Sequence, residues 1–208
     1  MPELKHFLDL DRIEPELLRR ILGKGAEYKR ARANGGHGQP LSGKTLAMIF
    51  EKPSTRTRVS FEVGMRELGG QTIMLGRTDT QLGRGETIAD TARVLSRYLS
   101  AIAVRTFAQA TVEELAANAS IPVVNALTDE HHPLQALADV MTLEEEFGTL
   151  AGCRLAYVGD GDNVCHSLAQ AAALGGFRLA IATPVGYEPD PRIIEAAREL
   201  AVATGGEI

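Results

Sequence analysis

The sequence predicts an α/β protein: two doubly wound parallel-sheet domains in tandem, residues 1–147 and 148–208, the second incomplete. Two observations carry this. Short apolar runs alternate with longer segments in which apolar residues recur at helical spacing, the pattern of a parallel sheet with helices on its faces. The alternation is interrupted once, at residues 148–152 (GTLAG), and then restarts.

In chain order, residues 14–32 place Leu17, Leu18, Ile21 and Leu22 on one helical face, with Pro15 suited to a first turn. This reads as a surface helix packed on the first domain. Residues 33–42 break regular structure with Asn34-Gly35-Gly36 and Gly38-Gln39-Pro40. A buried strand follows at 45–50 (TLAMIF), and Pro53 blocks its continuation. Ser54 or Thr55 suits the cap of a helix running to about Leu68. Then come a strand at 72–75, a helix at 86–98, a strand at 101–104, a helix at 112–119, a strand at 123–126 and a long helix at 133–147. Beyond the joint lie a strand at 154–158, a helix at 164–174, a strand at 178–182 and a helix at 191–203. A third strand is due where Ile208 stands, so this unit falls short of the roughly 100 residues usual for a domain. A truncated sequence or half of a domain is expected, with an open strand edge near Ile208.

Composition narrows the function classes. The 208 residues are 44% hydrophobic and 24% charged, an ordinary globular balance able to bury a substantial core. A net charge of −5 offers no general field for nucleic acid, so positive charge matters only where it is local. Residues 1–11 lack the basic start and apolar core of a secretion signal, and the uncharged run 163–177 is too short to span a bilayer. Cys153 and Cys165 lack the spacing of a disulfide framework or a zinc site, as expected in a reducing cytoplasm, and read as small core residues.

Chemistry concentrates in Phe50-Glu51-Lys52-Pro53-Ser54-Thr55-Arg56-Thr57-Arg58, where an apolar strand ends in hydroxyls and guanidiniums and a helix begins. Unpaired helix N–H groups and the helix dipole attract negative charge, and an Arg fork matches tetrahedral oxygens, so the stretch favours phosphate. The alternative is a capped helix with solvated arginines. Two arginines in a first turn oppose the dipole, which favours the anion site. Gly38-Gln39-Pro40-Leu41-Ser42-Gly43-Lys44-Thr45 also matches a phosphate-loop pattern, but there the strand follows the loop instead of preceding it, so a turn into a strand is the better reading.

Ligands of open α/β sheets gather beyond the carboxyl ends of the strands. Besides the Ser54 loop, three strand ends bring polar groups: Arg105-Thr106, then Asp129-Glu130-His131-His132-Pro133-Leu134-Gln135, then Gly159-Asp160-Gly161-Asp162-Asn163. Arg105 alone reads equally as a ligand or as half of a structural ion pair. Pro133 suits a first helical turn and sets His132 and Gln135 about one helix N-terminus, though His132 could be only a cap. Convergence of Arg105 and the His132–Gln135 stretch with the Ser54 loop on one sheet edge is what favours a site.

Ser54-Thr55-Arg56-Thr57-Arg58, flanked by Phe50 and Pro53, resembles the carbamoyl-phosphate loop of the aspartate and ornithine carbamoyltransferases. His132-Pro133-Leu134-Gln135, where the aspartate branch reads His-Pro-Thr-Gln, is similar to the ornithine branch. So are Tyr157-Val158-Gly159-Asp160-Gly161-Asp162-Asn163 and Ala182-Thr183-Pro184-Val185-Gly186-Tyr187-Glu188-Pro189, and the resemblance runs from about Leu4 to Ile208. It implies that 1–147 binds carbamoyl phosphate and that 148–208 is part of an ornithine-binding domain. By the same resemblance Ser54, Thr55, Arg56 and Thr57 bind phosphate, with Arg58 in support. Arg105 reaches phosphate and carbonyl oxygen, His132 and Gln135 hold the carbamoyl end, and Asn163 contacts ornithine. Arg105 and His132 are the catalytic expectations. Gln81 matches a position that in the family's trimers reaches into a neighbouring subunit's site.

The reaction so implied is carbamoyl transfer to the side-chain amine of L-ornithine in a cytoplasmic homotrimer of arginine biosynthesis. No metal or organic cofactor, nucleic acid or membrane is expected to take part. Transfer to aspartate, a nicotinamide-dinucleotide site at Gly159-Asp160-Gly161, and non-catalytic anion binding are the alternatives. The dinucleotide fingerprint fails where Val164 stands in place of glycine. The His-Cys-Leu-Pro and Asp-x-Trp-x-Ser-Met-Gly segments that grip ornithine in the family do not occur in these residues, and neither cysteine replaces theirs. The 208 residues alone are therefore expected to recognise carbamoyl phosphate without completing the transfer.

Overall fold

The computed structural model describes residues 4–36, 38–76 and 85–208. These fall into two compact units, one comprising Gly35–Asp129 with the N-terminal residues through Leu8, the other comprising Asp9–Asn34 and Glu130–Ile208.

In the first unit, strands β1 (Thr45–Phe50), β2 (Gln71–Gly76), β3 (Ala101–Arg105) and β4 (Val123–Leu127) form a parallel sheet in the order β2-β1-β3-β4. β1 is central and is buried from Leu46 to Phe50, which is why it reads as an unbroken apolar run instead of an alternating one. Its side chains divide between two cores. Ala47 and Ile49 join Ile102, Val104, Val112 and Leu115 on one face. Leu46, Met48 and Phe50 join Ala103, with Phe61, Met65 and Met74 packed against them, on the other.

Helices therefore cover both faces: α2 (Thr55–Glu67) on the Met48 side, α3 (Ile88–Leu95) and α4 (Gln109–Asn118) on the Ile49 side. The strand order reverses between β1 and β3, because the chain steps from β1 out to β2 and returns past β1 to β3. At the far edge Phe7 pairs in parallel with Val124, its N–H donating to Val123 O at 2.8 Å and its carbonyl accepting from Asn125 N–H at 2.8 Å.

The second unit has β5 (Arg154–Val158) and β6 (Arg178–Ala182) in parallel, with α6 (Asn163–Gly175) and α7 (Pro191–Ala201). Every residue of α6 from Cys165 to Leu174 is buried, as its Ala- and Leu-rich sequence requires. Glu207 bridges in parallel to Arg178, beginning a further pairing beside β6.

α1 (Pro15–Ala33) corrects an expectation. It packs in this second unit with α5 (Pro133–Phe147) and α6, not on the first sheet, through a face that buries Leu18 and Leu22. Helical spacing identifies an apolar stripe but not the partner that covers it. No helix among the described residues is long and apolar enough to cross a membrane.

Ile102 is fully buried in the strand that neighbours β1. Ile102→Ala should lower the unfolding free energy of the first unit by about 2–5 kcal/mol, read from denaturant midpoints, and a loss below about 1 kcal/mol would contradict this core.

Candidate functional site

Parallel pairing sets Phe50 opposite Arg105 in the β1–β3 ladder, and the Glu51 N–H donates to Arg105 O at 2.9 Å. The ends of β1 and β3 are thus adjacent where the strand order reverses, the crevice in which open α/β sheets bind ligands.

Ser54 is the N-cap of α2, with extended backbone. Its Oγ accepts from the Thr57 N–H at 3.4 Å and donates to Thr57 Oγ1 at 2.9 Å. Thr55 and Arg56 lie in the first turn, whose N–H groups have no partners within the helix. No acidic residue occupies that turn. Arg58 points elsewhere: its Nε donates to Glu62 one turn on, at 2.8 Å.

Arg105 is half-buried at the end of β3, and among the described residues its buried Nε has no hydrogen-bond partner. Burial, and then the Arg56 charge, hold its guanidinium below the usual arginine range. Neither Arg56 nor Arg105 has a carboxylate partner among the described residues. Two cations near enough to perturb each other, one with an unsatisfied buried donor, make a local environment favourable to negative charge.

Interactions that the sequence did not disclose brace this crevice. Thr106 Oγ1 donates to Glu51 Oε2, and Lys52 pairs with Asp129 while lying 4.5 Å from the centre of the Phe107 ring. Thr106 directly follows Arg105, and Glu51 and Lys52 stand within three residues of Ser54. That adjacency was the available signal.

In the second unit His132 is the N-cap of α5, and its carbonyl accepts from Gln135 N–H at 3.1 Å and Ala136 N–H at 3.3 Å. Gln135 Nε2 donates to Asp139 at 2.8 Å; burial raises the Asp139 carboxyl above the usual range, and this hydrogen bond opposes the rise. Asn163 opens α6 directly after the cap Asp162, whose Oδ1 accepts from Val164 N–H at 3.2 Å. Gln81 lies outside the described residues. The structure thus brings Ser54, Thr55, Arg56, Thr57 and Arg105 together in one unit and sets His132, Gln135 and Asn163 at two helix N-termini of the other.

The glycine pattern after β5 has a packing explanation. A Cβ on Gly161 would collide with Pro189 N and stand 2.6 Å from Glu188 C, so close backbone packing by itself requires glycine there. The same contact ties the loop bearing Asn163 to residues 188 and 189, and the Gly161 N–H donates to Tyr187 O at 2.8 Å. Among the described residues no cluster of His, Cys, Asp and Glu could hold a metal.

Fold and crevice together define an open α/β protein with two arginines that lack carboxylate partners among the described residues where the strand order reverses. The family model "Aspartate/ornithine carbamoyltransferase, carbamoyl-P binding domain" matches residues 5–145, and the "Asp/Orn binding domain" of the same family matches 151–208. The chain belongs to the aspartate/ornithine carbamoyltransferase family.

Among similar proteins, the ornithine carbamoyltransferase of Anoxybacillus flavithermus is 54% identical over 98% of this chain and 65% of its own length. That of Agrobacterium fabrum is 51% identical over 100% of this chain and 67% of its own. The solved structure of the Pyrococcus furiosus ornithine carbamoyltransferase matches with a TM-score of 0.94 at 50% identity, covering 98% of this chain and 65% of that one. The chain thus spans about 65% of the length of these relatives.

Cys165 is fully buried in α6, and burial first, then Asp162, pushes its thiol up to about 11. At pH 8 it stays protonated and shielded, so a thiol-labelling reagent should leave it unmodified in the folded protein and label it on denaturation. Rapid labelling of Cys165 in the native state would contradict the packing of α6. Cys153 is only partly buried, its Sγ donating to Thr149 O at 2.9 Å, so the expectation of two core cysteines holds for Cys165 alone.

Proposed function

We propose that the protein of which these residues are part transfers the carbamoyl group of carbamoyl phosphate to the side-chain amine of L-ornithine, giving L-citrulline and phosphate. The observation that carries this reading is the uncompensated pair Arg56 and Arg105 beside the capped N-terminus of α2, with Arg105 Nε buried and unbonded among the described residues. A phosphate dianion satisfies both guanidiniums and the first-turn N–H groups at once.

The roles follow the resemblance. Ser54, Thr55, Arg56 and Thr57 hold the phosphate. Arg105, His132 and the Thr57 hydroxyl act on the carbonyl oxygen, where negative charge grows as the amine attacks, in the manner of an oxyanion hole. Gln135 holds the carbamoyl amide, and Asn163 contacts ornithine. As phosphate leaves, Arg56 and the helix N-terminus stabilise the charge it carries away. An alkyl amine of this kind ordinarily holds its proton up to a pH of about 10.4, so it must be deprotonated before it attacks, and none of the described residues is assigned to that step. Functionally, 1–147 is the carbamoyl-phosphate-binding domain and 148–208 belongs to the ornithine-binding domain. No metal or organic cofactor takes part.

We further infer a cytoplasmic homotrimer serving arginine biosynthesis, with Gln81 reaching a neighbouring subunit's site. Two features of the first unit support assembly. α2 has no fully buried residue and leaves Val59 half-exposed and Val63 at 36%, and the edge strand β2 exposes Ile73 at 45%. An apolar edge of this kind favours a covering partner.

Arg56→Ala should weaken carbamoyl-phosphate binding by about 2–4 kcal/mol in calorimetry, and a dissociation constant within about threefold of the parent would remove the Ser54 loop from the site. In the full-length protein, mixing Arg56→Ala chains with Gln81→Ala chains should restore activity, because some sites then draw both intact residues from different subunits. Mixed assemblies no more active than their parents would show that each site is built within one chain.

A further inference from the structure

Two consecutive residues of α6 that no role above uses are both committed to the turn that carries His132. Ser167 is fully buried, and its Oγ accepts from the His132 N–H at 2.8 Å. His166, 6% exposed, places Nδ1 2.9 Å from Glu130 O, while its Nε2 accepts from the Asp190 N–H at 2.9 Å. An amide N–H can only donate, so Nε2 carries no proton. The ring's proton therefore sits on Nδ1 and is given to the Glu130 carbonyl. Two backbone groups thus select one neutral tautomer. His132, meanwhile, is a helix N-cap with no side-chain capping bond of its own, and the Ser167 hydroxyl holds its backbone from outside.

We propose that His166 and Ser167 are positioning residues for His132: α6 fixes the Glu130–His132 turn by one bond to the Glu130 carbonyl and one to the His132 N–H, and so sets where the His132 side chain acts. Asn163 stands in the first turn of the same helix, so one rigid element orients the residue assigned to the amine and the residue assigned to the carbonyl. The inference rests on the carbamoyl-transfer reading of His132. Because His132 acts on an oxygen whose charge develops in the transition state, loosening it lowers kcat more than it raises KM.

The test uses the full-length enzyme, with kcat expressed per folded site. Ser167→Ala should lower kcat by about ten- to a hundredfold, the order expected for an ångström-scale misplacement, with KM for carbamoyl phosphate within about threefold of the parent. In a His132→Ala background the same substitution should cost less than about twofold, since the group it positions is already gone. A penalty that multiplies in full in that background overturns the inference and leaves the proposed function standing. An unchanged kcat for His132→Ala overturns the assigned role of His132 and this inference with it.

His166→Asn, whose amide can keep the donor to Glu130, should retain more activity per folded site than His166→Phe; equal losses count against the proposal. Should the Ser167 and His166 variants fail to fold, nitrogen NMR of the unaltered protein decides. A proton on Nδ1 and none on Nε2 of His166 supports the arrangement, and a proton on Nε2 overturns it.

Discussion

Phe50 and Arg105 stand opposite each other in a ladder of parallel strands, and most of the first unit's chemistry depends on that pairing. It places a helix N-terminus and a half-buried guanidinium side by side where the sheet's winding reverses, so no helix crosses over the gap. The cost is electrostatic. Arg105 sits where burial and Arg56 both disfavour its charge, and the fold offers it no carboxylate among the described residues. The sheet supplies what makes this tolerable: β1 and β3 are anchored by fully buried Met48, Ala103 and Ile102, so the two cations cannot drift apart without disturbing the centre of the core.

Much of this was legible in the residues. The strands at 45–50, 154–158 and 178–182 and the helix at 133–147 coincide with β1, β5, β6 and α5, because unbroken apolar runs and a first-turn proline are strong local signals. Boundaries moved where local chemistry outweighed periodicity. α3 begins at Ile88 because Thr87 caps it, its Oγ1 accepting from the Asp90 N–H at 3.0 Å, and it ends at Leu95, where Ser96 Oγ turns back to Ala92 O. α4 starts at Gln109, three residues before its apolar face announces it. The packing of α1 was not legible, since a stripe of leucines carries no address. Arg105 was ambiguous in the sequence between ligand and ion-pair partner. Its unbonded Nε and the absence of a described carboxylate favour the ligand, and neither could be seen without the fold.

The second unit shows how a helix buried on all sides can still serve a site. α6 has no face for solvent, so its few polar side chains must spend their hydrogen bonds on neighbouring backbone. Gln170 accepts from the Leu10 N–H, His166 and Ser167 take the Glu130–His132 turn, and Asp162 caps the helix itself. Satisfying buried polar atoms and fixing the geometry of a loop are here the same act.

The two units do not divide the sequence at one place. The polypeptide passes from the first to the second after Leu8, returns after Asn34 and leaves again after Asp129. A single break therefore cannot release either unit whole. A fragment ending near Phe147 keeps α1 and α5 but strands both away from α6, and one starting at Gly35 leaves the β4 edge without Phe7. The stretches matched by the family's two models, 5–145 and 151–208, therefore do not coincide with the two compact units, and separating those units would mean cutting the chain at three places.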